Sequence, residues 1–497
     1  MNFSKSKYCA LWQCPKMAWL KKYKPEEYEQ DASAETRFEN GNEVGDLARG
    51  LFGDYEDVTT QKADGSLDLS EMIKRTQELI KSGAKNICEA AFNYDGLYCA
   101  VDILHKEKDG YAIYEVKSST ELKYIYIVDV AYQKYVLNKC GIKVTGAYVV
   151  NIDSNYVFDG NLDIRKFFKI SDVLPMVSDE EAEIEGNLAA AEKLLASKEE
   201  PDIDISELCR SPYGCGFWKY CTKHITSPSV FDLYNLRAAK KFGFYKEGII
   251  SFEDLRKCGK LKDERQIRQI EYALEDKGLY VDKESIKSFL DTLTYPLYFL
   301  DFETMQLVIP QFAGTKPYQQ ITFQYSLHYV ENEGGDLKHK EFLGVSGEDP
   351  RRALAERLVA DIPQDACIIA YNKAFECTRI KELVSIFPDL SVQLLAIRNN
   401  IVDLLEPFQK GYCYNRAMGG SFSIKSVLPA LFPDDPSLNY HNLEGVHNGA
   451  EAMDIFPRIK DMPQDEAEKA RRDLLKYCEL DTLAMVKVWQ KLLELVG

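Results

Sequence analysis

No apolar run in this sequence is longer than a strand, and its opening stretch, MNFSKSKYCALWQCPKMAWLKKYK, scatters lysines where a leader would have a central apolar block. Neither a secretory signal nor a membrane span is therefore expected. Internal repeats and low-complexity tracts are also lacking, so solenoids and long disordered linkers are not called for. Positive charge is scarce as well: 62 Lys and Arg face 79 Asp and Glu, a net charge of −17. Such a balance argues against a protein that coats nucleic acid through its overall field. It leaves room for a nuclease, whose carboxylates hold cations and whose basic contacts are local.

What the chain does have is ordinary globular material. Its 497 residues are 45% hydrophobic and 28% charged, enough for about two to four domains with real cores. Thirteen cysteines without a secretory signal imply a reducing, cytoplasmic setting, where clustered cysteines mean metal more often than disulfide. The first 24 residues carry Lys5, Lys7, Lys16, Lys21, Lys22 and Lys24 among aromatics and contain no acid. Two readings of that patch stand side by side, a solvated helix face and a surface that contacts phosphates.

Three regions separate by pattern. Residues 1–225 begin and end in cysteines, and residues 226–292 read as short amphipathic helices such as SFEDLRKCGKL and DERQIRQIEYALEDKG, a helical connector. Residues 293–497 open with strands (YPLYFLDFET, QITFQYSLHYV, HKEFLGV), continue through a helix and the strand ACIIAYN, and end mostly helical. The expected class is α/β multidomain.

In the first region, GLYCAVDILHKEKDGYAIYEVKSST reads as two strands around the turn HKEKDG. Centring that turn puts Glu115 diagonally across from Asp102, with Lys117 on Glu115's face. Gln133 falls in the helical second half of ELKYIYIVDVAYQKYVLNKCG, which Gly141 closes. Asp102, the Glu115-Val116-Lys117 triplet and Gln133 together resemble the restriction-endonuclease-like PD-(D/E)XK superfamily, specifically RecB-like nucleases. The resemblance implies that Asp102 and Glu115 bind a divalent cation, Mg²⁺ or Mn²⁺, while Lys117 positions the attacking water. Those enzymes generally carry an upstream histidine after a glycine. The matching stretch, ENGNEVGDLARGLF, has none, which leaves Glu43 as a substitute ligand, and Leu137 stands where a tyrosine is usual.

Cys14 near the start and Cys209, Cys215 and Cys221 in CRSPYGCGFWKYC resemble the arrangement of iron–sulfur RecB-like nucleases. That likeness implies a [4Fe-4S] cluster stapling the ends of the region. The C-x5-C-x5-C spacing departs from the family's C-x2-C-x5-C, and zinc is the alternative occupant. Cys9, Cys88, Cys99 and Cys140 read as buried or incidental thiols.

In the last region, Asp301 and Glu303 in YFLDFETM are two apart on a strand and share a face. Carboxylates that close repel unless a divalent cation lies between them. Glu376 follows in YNKAFE, and Tyr477 and Asp481 are four apart on the last helix. Asp-x-Glu, Asn-x-x-Phe-acid and Tyr-x-x-x-Asp, in this order, resemble the DEDD exonucleases of DnaQ type, with a ribonuclease-H-like fold. The resemblance implies that Asp301, Glu303 and Asp481 hold two divalent metals, with Glu376 at an acidic position that is normally aspartate and Tyr477 orienting the water. Asp403 reads as a supporting carboxylate or a helix cap. Lys425, in GGSFSIKSVLPALF, stands at an apparent helix start able to receive a phosphate.

Together these signatures lead us to expect a metal-dependent nuclease with two nuclease domains that acts on DNA rather than RNA, at ends or single strands, in recombination, repair or defence. Two alternatives remain at this level: a degenerate first domain that grips DNA for an active exonuclease, and a non-catalytic nucleic-acid-binding adaptor.

Overall fold

The computed structural model describes residues 3–30 and 34–497. The chain divides into two compact units, one of Met1–His224 with Leu307–Tyr318, the other of Ile225–Gln306 with Gln319–Gly497. Both mix helices and sheet, as the sequence pattern leads one to expect, and the helices of residues 226–292 belong to the second unit. Among the described residues, no helix is long and apolar enough to cross a membrane.

The first unit is built on β1 (Phe3–Ser4), β2 (Glu56–Asp57), β3 (Asn86–Tyr94), β4 (Leu97–Lys106), β5 (Tyr111–Lys117), β6 (Val144–Ile152) and β7 (Phe168–Asp172). They lie in the order β2-β3-β4-β5-β6-β7, with β1 beside β4. β3, β4 and β5 form an antiparallel meander. The helix Tyr124–Lys139 then carries the chain across, so that β6 runs parallel to β5. This helix is apolar nearly all round because it is covered by the sheet and by the helix Leu174–Ala196. It starts at Tyr124, a turn or more earlier than the sequence pattern indicates. Burial of Ile125, Ile127 and Val128 outweighs the strand propensity of β-branched residues.

The β4–β5 turn is also tighter than the sequence reading makes it. His105 and Lys106 remain in the ladder opposite Ala112 and Tyr111, and the Glu107 N–H donates to the Gly110 carbonyl at 2.9 Å. That register moves Glu115 from diagonal to directly across from Asp102. There the Val116 N–H leaves the ladder and donates to the Asp102 carboxylate at 2.7 Å.

The second unit contains β9 (Leu297–Gln306), β10 (Gln320–Val330), β11 (Lys338–Leu343), β12 (Cys367–Ala370) and β13 (Ile401–Asp403), in the order β11-β10-β9-β12-β13. Its first three strands are antiparallel, and β12 and β13 are parallel to β9. A small ribbon of β8 (Leu279–Val281) and β14 (Cys413–Asn415) stands apart from this sheet. One face of β9, with Tyr298, Leu300 and Phe302, packs against the helices Arg351–Asp361 and Ala374–Ile386. The other face presents Phe299, Asp301 and Glu303 to the 33-residue helix Gln464–Val496, where Phe299 meets Trp489 with ring centroids 5.6 Å apart. Phe299 is fully buried, so Phe299→Ala is expected to lower the unfolding free energy by about 3–5 kcal/mol, read from the denaturation midpoint at unchanged slope.

Candidate carboxylate and thiol sites

In the first unit, Glu115 is the hub. Its carboxylate accepts from Lys117 Nζ at 2.5 Å, from Lys5 Nζ at 3.0 Å and from Gln133 Nε2 at 2.7 Å. Lys5 Nζ also stands 3.6 Å from Asp102 Oδ1, so an ammonium group bridges the two carboxylates expected to share a cation. Lys117 Nζ and Gln133 Nε2 both reach Asp129 as well, at 2.7 and 3.0 Å. Burial, then Asp102 and Asp129, push the Glu115 carboxyl up to about 7 against the pull of both lysines. Asp129 is burdened by the same burial, yet Lys117 and Lys5 hold it well below the usual carboxylate range. Between the rows Cys88–Ile103 and Ala90–Val101, Glu89 stands across from Asp102. Burial and that neighbour raise its carboxyl to about 7. Glu43 is exposed on the helix Ala34–Ala48.

Asp102, Glu115, Lys117 and Gln133 are thus brought together, with Lys5, Asp129 and Glu89 added to them. Lys5 arrives because β1 pairs with β4 and the following helix, capped by Ser4, begins at Lys5. Asp129 could have been found from the sequence, since it lies one helical turn before Gln133. Most of the other N-terminal lysines are engaged internally. Lys16 and Lys24 pair with Glu200, and Lys22 donates to the Leu195 carbonyl.

Cys14, Cys209, Cys215 and Cys221 line one small cavity walled by Met17, Leu20 and Phe217. Cys14 sits at the joint of the helices Lys5–Gln13 and Pro15–Tyr23, and Gln13 Nε2 donates to the carbonyls of Leu208 and Tyr213, each at 2.8 Å. Burial raises the thiols of Cys209, Cys215 and Cys221, the last to about 11. Four soft donors around an apolar cavity fit a four-thiolate metal group, whose charge would offset that desolvation. Cys88 and Cys99 are buried and Cys9 and Cys140 half-buried, away from that cavity's lining.

In the second unit, β9, two helices and a loop converge. Asp301 and Glu303 point from β9 at the long helix, where Asp481 and Tyr477 lie a turn apart and Cys478 Sγ approaches Asp301 Oδ2 at 3.9 Å. A bulge in β10 between Thr322 and Gln324 interrupts the ladder opposite Glu303. Burial, then Asp481 and its other acidic neighbours, push Asp301 and Glu303 well above the usual carboxylate range. Burial takes Asp481 to about 6 and Glu376 to about 8. Among the described residues, Glu376 Oε2 is buried without a hydrogen-bond partner, an acceptor able to take a cation or donor. Asp403 supports this arrangement from outside. Its carboxylate accepts the N–H groups of Asn372 and Lys373, at 2.9 and 3.2 Å, just before the helix that carries Glu376.

Two groups complete the cluster. Tyr440 Oη donates to Asp481 Oδ1 at 2.7 Å, and Lys425 Nζ donates to Tyr477 Oη at 3.1 Å. Lys425 does lie near a helix start, that of Ile424–Leu431 behind Ser423. Together with Phe432, Leu438, Tyr440, His447 and Asn448 it lines a cleft of about 1000 Å³. Tyr440 and Cys478 carry no sequence signal of their own; they are legible only once the loop and helix are folded.

The family described as "Domain of unknown function (DUF2779)" matches residues 298–423, which include Asp301, Glu303 and Glu376. Two curated relatives are similar to parts of the chain. "Uncharacterized protein UU173" of Ureaplasma parvum is 28% identical over 213 residues, 38% of this chain and 30% of its own length. "Uncharacterized protein MG366 homolog" of Mycoplasma pneumoniae is 27% identical over 231 residues, 43% of this chain and 34% of its own length. The chain thus spans about a third of each relative.

The raised acids of the second unit set a direction for stability. A carboxyl raised on folding favours the native state fully below its unfolded value, and that contribution is lost as pH rises through the folded value. For Glu376 the window runs from 4.5 to about 8. In chelator, the melting temperature is expected to fall across this window. Glu376→Gln should flatten the slope, and an unchanged slope would contradict the assignment.

Proposed function

We propose that the second unit is a divalent-metal-dependent nuclease of DEDD type on a ribonuclease-H-like sheet. We further propose that the first is a RecB-like, restriction-endonuclease-like unit with a four-cysteine iron–sulfur site. One observation carries the reading: Asp301, Glu303, Glu376 and Asp481 gather from three elements, and among the described residues Lys425 is the cation that bears most on Asp301, Glu303 and Asp481. The orphaned Glu376 Oε2 and the raised carboxyls fit a site made for added cations. Asp301, Glu303 and Asp481 would hold the ions, with Glu376 as the further acid.

Bound Mg²⁺ or Mn²⁺ would supply positive charge to activate water and stabilise the phosphoryl oxygens of an in-line displacement. The chain's own groups do the positioning. Lys425 Nζ donates to the Tyr477 oxygen, and the Tyr477 phenol in turn hydrogen-bonds to Asp481, which would hold the tyrosine beside the ions to orient a water. Tyr440 fixes one oxygen of Asp481 and lines the adjoining cleft, whose volume of about 1000 Å³ accommodates a terminal nucleotide. DNA ends or single strands as substrate, and release of 5′ nucleotides from a 3′ end, follow from the DEDD resemblance.

A second reading of the first unit is favoured by Lys5. Its ammonium, between Asp102 and Glu115, takes the place in which a RecB-like centre would hold its cation. On that reading the unit grips DNA and the exonuclease alone cleaves. Asp301→Asn is expected to reduce Mn²⁺-dependent cleavage of end-labelled single-stranded DNA by about 100-fold or more, with the melting temperature in chelator unchanged or raised. If two centres act, Lys117→Ala removes what cleavage survives in Asp301→Asn; if one acts, Lys117→Ala by itself leaves cleavage intact. Binding of DNA without cleavage in Mg²⁺ or Mn²⁺ would refute the nuclease reading and make the protein an adaptor.

The thiol site is tested separately. Anaerobically purified protein should contain iron and show broad visible charge-transfer absorption, both lost in Cys221→Ser. Zinc in place of iron would overturn the cluster and keep the four-thiolate site.

A further inference from the structure

A second group of metal-ligating side chains lies in the second unit outside the Asp301 cluster. His328 on β10 stands directly opposite His339 on β11 in the antiparallel ladder, with ring centroids 4.5 Å apart. Glu479 comes from the long helix. One ring nitrogen of each histidine and a carboxylate oxygen of Glu479 lie within 4.8 Å of one another.

The hydrogen bonds behind the rings decide where their protons are. Thr482 Oγ1 lies 3.1 Å from the Glu479 carbonyl, and a carbonyl only accepts, so the threonine proton points there. Thr482 Oγ1 must then accept from its two other partners, Ser326 Oγ at 2.7 Å and His328 Nδ1 at 2.8 Å. Ser326, having given its proton to Thr482, accepts from His339 Nε2 at 2.9 Å. Assigned in this way, the chain of donors closes with the proton of His328 on Nδ1 and that of His339 on Nε2. The opposite nitrogens, Nε2 of His328 and Nδ1 of His339, are left as lone pairs with no hydrogen-bond partner among the described residues. A hydroxyl or backbone group that holds the far side of each imidazole is the support that metal-bound histidines require.

We propose that His328, His339 and Glu479 form a binding site for a transition-metal ion of zinc type. Two imidazoles and a carboxylate are a donor set for zinc, with water as fourth ligand, and a poor one for Mg²⁺, which takes oxygen. Zinc–ligand bonds of about 2.0–2.2 Å require the three donor atoms to close from their present spacing. The exposed Glu479 side chain has the freedom to make that movement. A bound ion would clamp the edge strand β11 and β10 to the helix that bears Tyr477 and Asp481. It would brace the sheet behind Asp301, since Ser326 pairs with Asp301 in the β9–β10 ladder. Neither the donor set nor the proton chain depends on the nuclease reading.

The test uses the full chain, dialysed free of loosely bound metal and titrated with Zn²⁺ alone, with bound zinc counted and melting followed. Wild-type protein should bind one more equivalent of Zn²⁺ than His339→Ala, and Asp301→Asn one more than the double variant Asp301→Asn with His339→Ala. The rise in melting temperature that accompanies that equivalent should be absent wherever His339 is replaced. Glu479→Gln alters only an exposed side chain and keeps the fold. It should weaken that equivalent by about tenfold or more. Co²⁺ in place of Zn²⁺ should give the visible bands of a tetrahedral nitrogen–oxygen site in wild type and lose them in His339→Ala. Equal zinc stoichiometry and equal melting shifts in wild type, His339→Ala and Glu479→Gln would overturn the proposal. So would loss of the equivalent in Asp301→Asn together with its retention in His339→Ala.

Discussion

A carboxylate taken out of water costs several kcal/mol unless a positive charge or hydrogen-bond donors replace its solvation, and each unit gathers several at one place. The first unit answers from within. Glu115, Asp102 and Asp129 are met by two ammonium groups, an amide and the Val116 N–H. The second unit answers only in part. Lys425 acts on Asp301, Glu303 and Asp481, and two phenols hydrogen-bond to Asp481, while among the described residues one oxygen of Glu376 has no hydrogen-bond partner. The same constraint thus yields a nearly balanced centre in one unit and a centre with surplus negative charge in the other. The surplus makes the second unit the stronger candidate for metal chemistry.

The way each sheet is built makes these clusters possible. In both, a strand places two residues of interest on one face, Glu115 with Lys117 and Asp301 with Glu303, and a helix packs across that face to bring the rest. In the first unit the helix is the β5–β6 crossover, which carries Asp129 and Gln133 one turn apart. In the second it is the long terminal helix, which delivers Tyr477 and Asp481 to the centre and Thr482 to the histidine pair behind it. Strand alternation separates this face from the apolar one, where Tyr298, Leu300 and Phe302 supply the packing. The acids therefore cost stability locally without interrupting the core.

Much of this was legible in the sequence because it depends on short-range periodicity. Strands such as QITFQYSLHYV and VTGAYVVNI, and the Ser251- and Asp263-capped helices, lie close to where alternation and capping put them. Glu115 with Lys117, Asp301 with Glu303 and Tyr477 with Asp481 could be singled out by spacing within one element, whereas Asp102, Gln133 and Glu376 follow from the order of motifs across elements in the two resemblances. What spacing does not reveal is which distant group meets them. Lys5 lies 110 positions from Glu115, and Tyr440 lies 41 from Asp481 in a segment of short turns without periodicity. Glu89 escaped for a different reason: it interrupts an otherwise apolar strand, NICEAAFNY, where a lone acid reads as a solvent-facing position. The register across β4–β5 was misjudged by a small step because the turn is closed by a single backbone hydrogen bond that composition does not specify.

The N-terminal helix Lys5–Gln13 ties two of these features together. Its first residue supplies the ammonium between Asp102 and Glu115, and its C-terminal cap is Cys14, in the thiol cavity. Nine residues of helix make a rod of about 13 Å, short enough to be stiff. Gln13 and Cys14 hold one end against the segment that carries Cys209 and Cys215, while β1 and the Ser4 cap fix the other against β4. The position of Lys5 is therefore set from both ends of the rod. A four-thiolate group at Cys14 would hold more than the ends of the unit, because through this helix it would also hold the lysine that balances the buried carboxylates.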